Sequence, residues 1–379
     1  MTNRPNQSVG VKERNLGIEL LRIVSMFLII VLHCLGLGGA GKCAPEHTVQ
    51  NSILWFLTAA CYGSANLYAL TSGYVCIRAT HRWERMIELW LQVFLYSVGI
   101  FAVDRILGGS GDLSWRQIIS LLLPVTSNRY WYFSAYFFLF AFLPFINPLL
   151  ERLSKRQYQI LLLLLFVFFC IGGWLSDTLA AYAFSTAGGY SPMWLMALYC
   201  TGAYLRRFEI PLGRSGKRKA LACFVVCTLL TWGSMHLINL ATNLLLGREV
   251  QKRLMFYSYL SPTVVLGAVA LFLFFSQVEV RHGKKLLTTV SATTFGIYLI
   301  HVHPSFSARF LDHFFLRFSG ISFIGLLTCI LVYSVLLFLF CGAVDFVRLQ
   351  VFRLLNVRKF SAWVVRTVKK PMDKLLEKG

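Results

Sequence analysis

The first apolar segment of the chain contains three ionisable side chains. Residues 17–37 are long enough to cross a bilayer, yet they include Glu19, Arg22 and His33. Ionisable groups inside hydrocarbon are costly and usually mark a functional site. The 11 positions between Arg22 and His33 bring them to within about 20° of the same helix face, about 16 Å apart along its axis. One face therefore carries a permanent cation and an imidazole that could act as a general base.

Glu19 and Arg22 are also spaced as an ion pair on a helix. At positions i and i+3, the two side chains can reach each other, and the pair would allow the arginine to be buried. On this interpretation Glu19 has a supporting role and the charges are structural. It leaves His33 unexplained, although a lone buried histidine is more often a hydrogen-bonded structural residue than a catalyst. Spacing alone leaves both interpretations open.

A second group of candidates follows the second apolar segment, in the sequence TSGYVCIRATHRWERMIELW. Arg78, Arg82 and Arg85 would share one face if this stretch were helical. Arginine binds phosphate through two hydrogen bonds, so a nucleotide-bearing donor would find ligands here. Ser72 and Gly73, just before them, would allow the backbone to bend and approach that donor. Alternatively, the arginines only reflect the excess of positive charge in cytoplasmic loops.

Aromatic residues and histidines form a third group. Tyr130, Trp131 and Tyr132 begin the fourth apolar segment, where they either anchor it at the membrane interface or stack against a sugar acceptor. The ninth segment ends in GIYLIHVHP, which contains His301 and His303, with Tyr298 three residues before His301. These residues could form an interfacial hydrogen-bonding cluster or line the acceptor side. The histidines lack the HExxH spacing of a metal site, so we predict no metal.

All three groups need a membrane-embedded framework to position them. The 379 residues are 57% hydrophobic and 14% charged, and apolar runs of about 20 residues recur, which is typical of an all-α, polytopic integral membrane protein. A soluble protein is excluded. We predict ten transmembrane helices, at 17–37, 51–75, 86–107, 130–150, 157–175, 190–208, 220–240, 255–276, 286–304 and 320–345. The ninth is the least apolar and suits a helix buried among other helices.

The distribution of basic residues predicts the orientation of the chain. Ten spans place both termini on one side of the membrane. With cytoplasmic termini, 27 of the 37 lysine and arginine residues lie in inner segments and 9 in outer loops, as the positive-inside rule requires. The net charge of +21 therefore reflects topology, and no nucleic-acid-binding motif accompanies it. The ten cysteines show no zinc-site spacing.

The same pattern divides the chain into three parts. We predict a cytoplasmic N-terminal tail at 1–16, a transmembrane domain at 17–345 and a basic cytoplasmic tail at 346–379. Apolar and basic residues alternate in the last part, which is typical of an amphipathic helix on anionic lipid. The alternative is a solvated tail. Membrane lipids are thus an expected partner, and nucleic acid is not.

The candidate residues together resemble the membrane-bound acyltransferase-3 family, which O-acylates cell-surface polysaccharides and related acceptors. The most specific feature is an arginine and a histidine separated by ten residues, here Arg22 and His33 within GIELLRIVSMFLIIVLH. The SGY sequence, the arginines of RWER, the YWY segment and GIYLIH follow in the family's order. The resemblance covers about 17–345. Family members commonly have an aspartate where this chain has Glu19.

The resemblance implies an acyl-CoA donor, commonly acetyl-CoA, that binds from the cytosol as a substrate, with no permanently bound cofactor. It assigns His33 and Arg22 to the active centre and Arg82 and Arg85 to donor binding. We therefore predict an O-acetyltransferase of the bacterial cytoplasmic membrane whose acceptor is a cell-surface polysaccharide or its lipid-linked precursor. A transporter or flippase for a glycan or lipid intermediate is the first alternative, although the sequence has no inverted repeat. A non-catalytic membrane receptor is the second.

Overall fold

The computed structural model describes residues 14–109, 114–181, 183–210, 213, 215–247 and 254–376. The predicted N-terminal tail falls almost entirely outside these ranges. The described residues are helical and contain no β-strand. This confirms the predicted all-α fold.

The helices of the described residues are numbered α1 to α15 in chain order. They are α1 Leu16–Leu35, α2 Val49–Tyr62, α3 Ser64–Cys76, α4 Trp83–Ile106, α5 Trp115–Leu122, α6 Trp131–Arg152, α7 Lys155–Leu165, α8 Gly173–Thr178, α9 Pro192–Arg207, α10 Gly216–Leu246, α11 Pro262–Ser276, α12 Lys284–His301, α13 Pro304–Phe310, α14 Phe323–Leu354 and α15 Val357–Leu376. A π-helical segment, Phe166–Gly172, joins α7 to α8.

Seven helical segments of the described chain are long and apolar enough to cross a membrane: α1, α2 with α3, α4, α6, α7 with α8, α10 and α14. α12 and the segment Pro304–Phe318 meet at an angle of 79°, and they make an eighth segment if this bent pair is one broken span and not a re-entrant loop. Each of these segments overlaps a predicted span. The protein is therefore a polytopic membrane protein.

The two remaining predicted spans form shorter helices than expected. α9 has 16 residues and α11 has 15, whereas a straight span needs roughly 20. Each helix begins at a Ser-Pro pair, and proline favours the first turn of a helix. The count of ten spans and the cytoplasmic orientation of the termini stay predictions.

Two glycines hold α9 close against α3. Gly73 of α3 lies against the carbonyl oxygen of Tyr199, and Gly202 of α9 lies against that of Leu70. A Cβ atom at either glycine would overlap the facing oxygen. Small residues allow this kind of close approach between helices in membranes. The short α9 is thus fixed in the bundle beside the segment that carries Ser72.

The helix with the first candidate residues lies inside the bundle. α1 contacts α2, α3, α11, α12 and α14. Its N-cap residue, Asn15, accepts a hydrogen bond from the backbone N–H of Ile18 and donates one of 3.0 Å to the carbonyl of Ser276. Such a cap satisfies a backbone donor that would otherwise lack a partner. Arg22 and His33 are therefore presented to neighbouring helices.

The last membrane helix is longer than predicted. α14 ends at Leu354, nine residues beyond the expected end at 345, and α15 then packs against α4. The predicted boundary at 345 falls at Asp345, three residues before Arg348. In the structure these side chains form a buried ion pair, which allows the helix to continue past them.

Candidate active site

One cavity of about 290 Å³ brings together residues from all three predicted groups. Its walls come from helices α1, α3, α4, α6 and α12, together with Tyr259. The predicted residues in its lining are Arg22, His33, Ser72, Arg85, Trp131, Tyr132 and Tyr298. The rest of the wall is largely apolar and includes Met26, Ile29, Leu89, Phe140 and Phe295. The arginines and the histidine predicted from separate motifs thus share one chamber.

His33 contacts a second histidine, and the contact defines its tautomer. Nδ1 of His33 lies 3.0 Å from Nε2 of His301, and Nδ1 of His301 lies 2.6 Å from the carbonyl oxygen of Ile297. Because a carbonyl only accepts, Nδ1 of a neutral His301 carries its hydrogen and Nε2 is an acceptor. His33 then donates through Nδ1–H. Its Nε2 keeps a lone pair that can accept a proton.

The predicted ion pair between Glu19 and Arg22 is present, but it is weak. Nη1 of Arg22 lies 3.4 Å from Oε2 of Glu19, at the long end of hydrogen-bond distances. Glu19 is only 4% exposed and also accepts hydrogen bonds from Nε of Arg14, at 2.5 Å, and from the hydroxyl of Ser291. The Arg22 side chain is 29% exposed and lines the cavity. Its guanidinium can therefore bind a ligand through its other nitrogens while Nη1 lies beside Glu19.

Three polar atoms of the cavity wall make no hydrogen bond within the described residues. They are Oγ1 of Thr71 and the hydroxyls of Tyr132 and Tyr298. A buried donor or acceptor without a partner costs about 1–3 kcal/mol. Three such atoms in a single chamber are therefore available to hydrogen-bond a ligand or ordered water there.

Aromatic rings close the end of the cavity that contains Trp131. Its ring stacks on Tyr259 at a centroid distance of 5.9 Å and an angle of 30°, and it lies 4.4 Å from Tyr190. Tyr132 lies 5.3 Å from Trp131 and 6.3 Å from Tyr298. These planar faces and the free hydroxyls form a surface on which a sugar ring could stack.

Tyr130 does not join this surface. It is buried, lies outside the cavity lining, and packs 6.2 Å from Tyr298 and 6.4 Å from His303. Among the predicted aromatic residues, Trp131 and Tyr132 therefore form the wall and Tyr130 supports it from behind.

The predicted arginine cluster is divided by a break in the helix. α3 ends at Cys76 and α4 begins at Trp83, with Arg82 as its N-cap residue, so the stretch is not one helix and the condition for a shared arginine face is not met. Arg85 lines the cavity, whereas Arg78 and Arg82 are exposed outside its lining. Of the three arginines, Arg85 is the one placed to reach a ligand in the chamber.

The small residues before this break have different surroundings. Ser72 lines the cavity and donates a hydrogen bond of 2.9 Å to the carbonyl of Tyr68. Gly73 faces away, against the backbone of α9, where it has a packing role. Of the two small residues predicted to approach the donor, only Ser72 therefore lies where it could contact a ligand in the cavity.

His81 lies in the same break and adds no charge to the cluster near neutral pH. Its ring packs 4.7 Å from Trp83 and 4.8 Å from Phe140. This burial lowers the pKa of His81 below its ordinary value, against a smaller raising effect of Glu84. The positive charge at this end of the cavity therefore comes from the arginines.

The sequence also matches a known family over almost its whole length. The acyltransferase domain of the acyltransferase-3 type matches residues 15–343. The chain belongs to the membrane acyltransferase-3 family. No curated protein and no solved structure matches it. Every residue of the cavity lining falls within the matched region of this acyltransferase.

Sequence reasoning did not identify three tyrosines of the acyltransferase's site. Tyr68 lines the cavity and donates a hydrogen bond of 2.7 Å to the carbonyl of Arg22. Tyr259 lines the cavity beside Trp131, and Tyr190 packs against both rings. Tyr68 precedes the SGY sequence by one helical turn, which could have indicated it. Tyr190 and Tyr259 precede the Ser-Pro starts of α9 and α11, and no local pattern links them to α6.

Proposed function

We propose that this acyltransferase moves an acetyl group from acetyl-CoA to a hydroxyl of a cell-surface polysaccharide or its lipid-linked precursor. The observation that carries the proposal is the single cavity that joins Arg22 and Arg85 to His33. A two-substrate transfer requires such a chamber, because the reacting atoms of both substrates must approach each other. We further propose that the protein lies in the bacterial cytoplasmic membrane with cytoplasmic termini.

The arginines support a phosphate-bearing donor at the end of the cavity that we predict to face the cytosol. Arg85 lies in the first turn of α4 and its side chain is 52% exposed, so it can reach both solvent and cavity. Arginine matches phosphate oxygens through paired hydrogen bonds. The apolar wall formed by Met26, Ile29 and Leu89 suits the uncharged arm of the donor. The donor would thus extend its thioester past Arg22 towards His33.

His33 supports direct acyl transfer by general base catalysis. Its Nε2 would accept the proton of the acceptor hydroxyl while the oxygen attacks the thioester carbonyl carbon. The carbon–sulfur bond then breaks, and the departing thiolate takes the proton from His33. The products are an ester and free CoA. His301 keeps the ring oriented throughout, and its bond to His33 strengthens while His33 is positively charged.

The opposite end of the cavity supports a sugar acceptor. Aromatic faces with a few placed polar groups are typical of binding sites that recognise one orientation of a ligand. Trp131 offers the face, and the unpaired hydroxyls of Tyr132 and Tyr298 offer hydrogen bonds. A sugar bound there would lie beside Tyr298, whose ring is 6.4 Å from that of His301. Its hydroxyl would then be close to the proposed base.

The test is the release of CoA thiol by the purified protein with acetyl-CoA and a cell-wall glycan extract. We expect His33→Ala to abolish release without changing membrane insertion or the melting temperature by more than a few degrees. His236→Ala is a matched control, because His236 bonds to Ser52 at 2.8 Å and lies outside the cavity lining. Full turnover by His33→Ala would make the base assignment wrong. Glycan or lipid transport without any need for CoA would contradict the proposed reaction.

A further inference from the structure

A carboxylate at the interface of α4, α12 and α14 is fully buried and bound by four donors. Asp345 of α14 accepts hydrogen bonds from Nε2 of Gln92 at 3.1 Å and from the hydroxyl of Tyr96 at 2.7 Å. Arg348 donates to both of its oxygens, at 3.0 and 2.6 Å. None of these four residues lines the cavity. The network therefore joins α4 to α14 outside the site described above.

Burying this ion pair does little by itself to stabilise the folded protein. The Asp345 side chain is fully inaccessible and that of Arg348 nearly so. Removing two charges from water costs several kcal/mol per ion, and apolar residues of similar size often replace such pairs without loss. A carboxylate held by four hydrogen bonds, however, has its oxygens fixed in one position. The contacts of those oxygens with the third helix are therefore informative.

α12 approaches the carboxylate through a glycine. A Cβ atom on Gly296 would overlap both Oδ1 and the carboxyl carbon of Asp345. The backbone of α12 thus rests directly on a side chain that four hydrogen bonds prevent from moving. Any larger residue at 296 must displace α12 from α14.

The residues that follow Gly296 on α12 belong to the active site. Tyr298 lines the cavity two positions later, and His301 contacts His33 five positions later. Five residues correspond to about 7.5 Å along a helix. A displacement of α12 at Gly296 would therefore move the histidine contact, whose length of 3.0 Å leaves little tolerance.

We propose that Asp345 and Gly296 are positioning residues, which set α12 so that Nε2 of His301 meets Nδ1 of His33. The clamp formed by these two residues touches neither substrate. It acts through His301, so its effect on turnover rests on the proposed function of the histidine pair. Its effect on geometry does not.

The geometric test compares two glycines on the same interface. Gly296→Ala forces the overlap described above. Gly342→Ala is the matched control: it lies on α14 one turn before Asp345, and its Cβ would meet Cδ1 of Ile297 at an ordinary 3.5 Å. Cryo-EM structures of both variants should show the His33–His301 nitrogens beyond hydrogen-bond distance in Gly296→Ala and at an unchanged distance in Gly342→Ala.

The kinetic test separates positioning from folding. We expect Gly296→Ala to lower kcat at least about tenfold while the KM for acetyl-CoA changes less than about twofold. Gly342→Ala should leave both constants unchanged. In a protein that already carries His301→Ala, adding Gly296→Ala should cause no further loss, because residues that act through one group are not additive. Independent, multiplying losses would overturn the proposal.

Asp345→Asn provides a second variant if Gly296→Ala does not fold. It keeps the shape of the side chain but removes its charge, and we expect the same lower kcat with an unchanged KM. If neither variant folds, the clamp is purely structural and the proposal is wrong. If the histidines stay 3.0 Å apart in a folded variant, it is also wrong. If they separate but kcat is unchanged, the clamp stands and the proposed role of His301 fails.

Discussion

His33 donates a hydrogen bond of 3.0 Å to His301 across the interface of α1 and α12. The two residues are 268 positions apart in the sequence, and the carbonyl of Ile297 fixes the direction of the bond by engaging the other nitrogen of His301. The lone pair of His33 is thereby left at Nε2. Orientation of a catalytic base by a second group is a recurring feature of enzymes that activate hydroxyls.

Replacement of His301 should slow the acyl transfer without preventing donor binding. We expect His301→Ala to lower kcat about tenfold to a hundredfold, because the ring of His33 loses its acceptor. His301→Gln should recover part of the loss, since the Gln side-chain oxygen can accept the same hydrogen bond. The rate of CoA thiol release at saturating acetyl-CoA measures the kcat of both variants. Equal activity of the two variants would show that hydrogen-bond acceptance is not what His301 contributes.

The arginines should differ in their effect on donor binding according to their position. We expect Arg85→Ala to raise the KM for acetyl-CoA about tenfold, the value of one charged hydrogen bond, and Arg82→Ala to raise it less, because Arg82 lies outside the cavity lining. Arg281→Ala is the control, since that side chain is 82% exposed and lies outside the cavity lining. Steady-state kinetics at varied acetyl-CoA concentrations gives the KM of each variant and tests this ranking. If all three substitutions changed the KM equally, Arg82 and Arg85 would contribute only to the charge distribution that orients the protein, and not to donor binding.

The unpaired tyrosine hydroxyls should affect ligand binding and stability in opposite ways. Tyr132→Phe and Tyr298→Phe remove polar atoms that lack partners in the described structure, so the melting temperature of the ligand-free protein should stay the same or rise. The KM for the acceptor should rise severalfold.

A third tyrosine provides the contrast. The hydroxyl of Tyr158 donates a hydrogen bond of 2.9 Å to the carbonyl of Cys200 and lies outside the cavity. Tyr158→Phe should therefore lower the free energy of unfolding by about 1 kcal/mol and leave the acceptor KM unchanged. A loss of stability in the cavity variants equal to that of Tyr158→Phe would argue against a ligand at those hydroxyls.

The close contact of α3 and α9 should be intolerant of even one added carbon. Gly73→Ala and Gly202→Ala would each overlap a backbone oxygen of the facing helix, so we expect melting temperatures in detergent to fall by several degrees, or the protein to fail to insert. Gly233→Ala on α10 has no atom within 4 Å of the added Cβ. Because alanine favours helix more than glycine does, this control should be neutral or slightly stabilising.

The sequence was sufficient for features that depend on helical periodicity. An apolar segment with Arg22 and His33 on one face indicated a buried site, and both residues do line one cavity. The ion pair of Glu19 and Arg22 follows from the same spacing. These are properties of one helix, and its pitch determines them.

Features that depend on contacts between helices could not be read in this way. Nothing local pairs His33 with His301, or indicates that Gly73 faces Tyr199 instead of a ligand. The predicted spans left residues 76–85 as a loop, but arginine spacing could not show that Arg85 lines the cavity while Arg78 and Arg82 do not. The short length of α11 was hidden by the mostly apolar residues before its Ser-Pro start, from Met255 to Leu260.

The shared cavity has a further consequence for a cell that depends on ion gradients. If the chamber admits one substrate from each side of the membrane, as we propose, it would also offer a leak path for protons and metal cations. Arg22 places a fixed positive charge in its wall, and positive charges exclude cations from narrow pores. The apolar side chains around it discourage a continuous column of water. The arginine that we assign to the donor would thus also protect the membrane potential while the acyl group crosses.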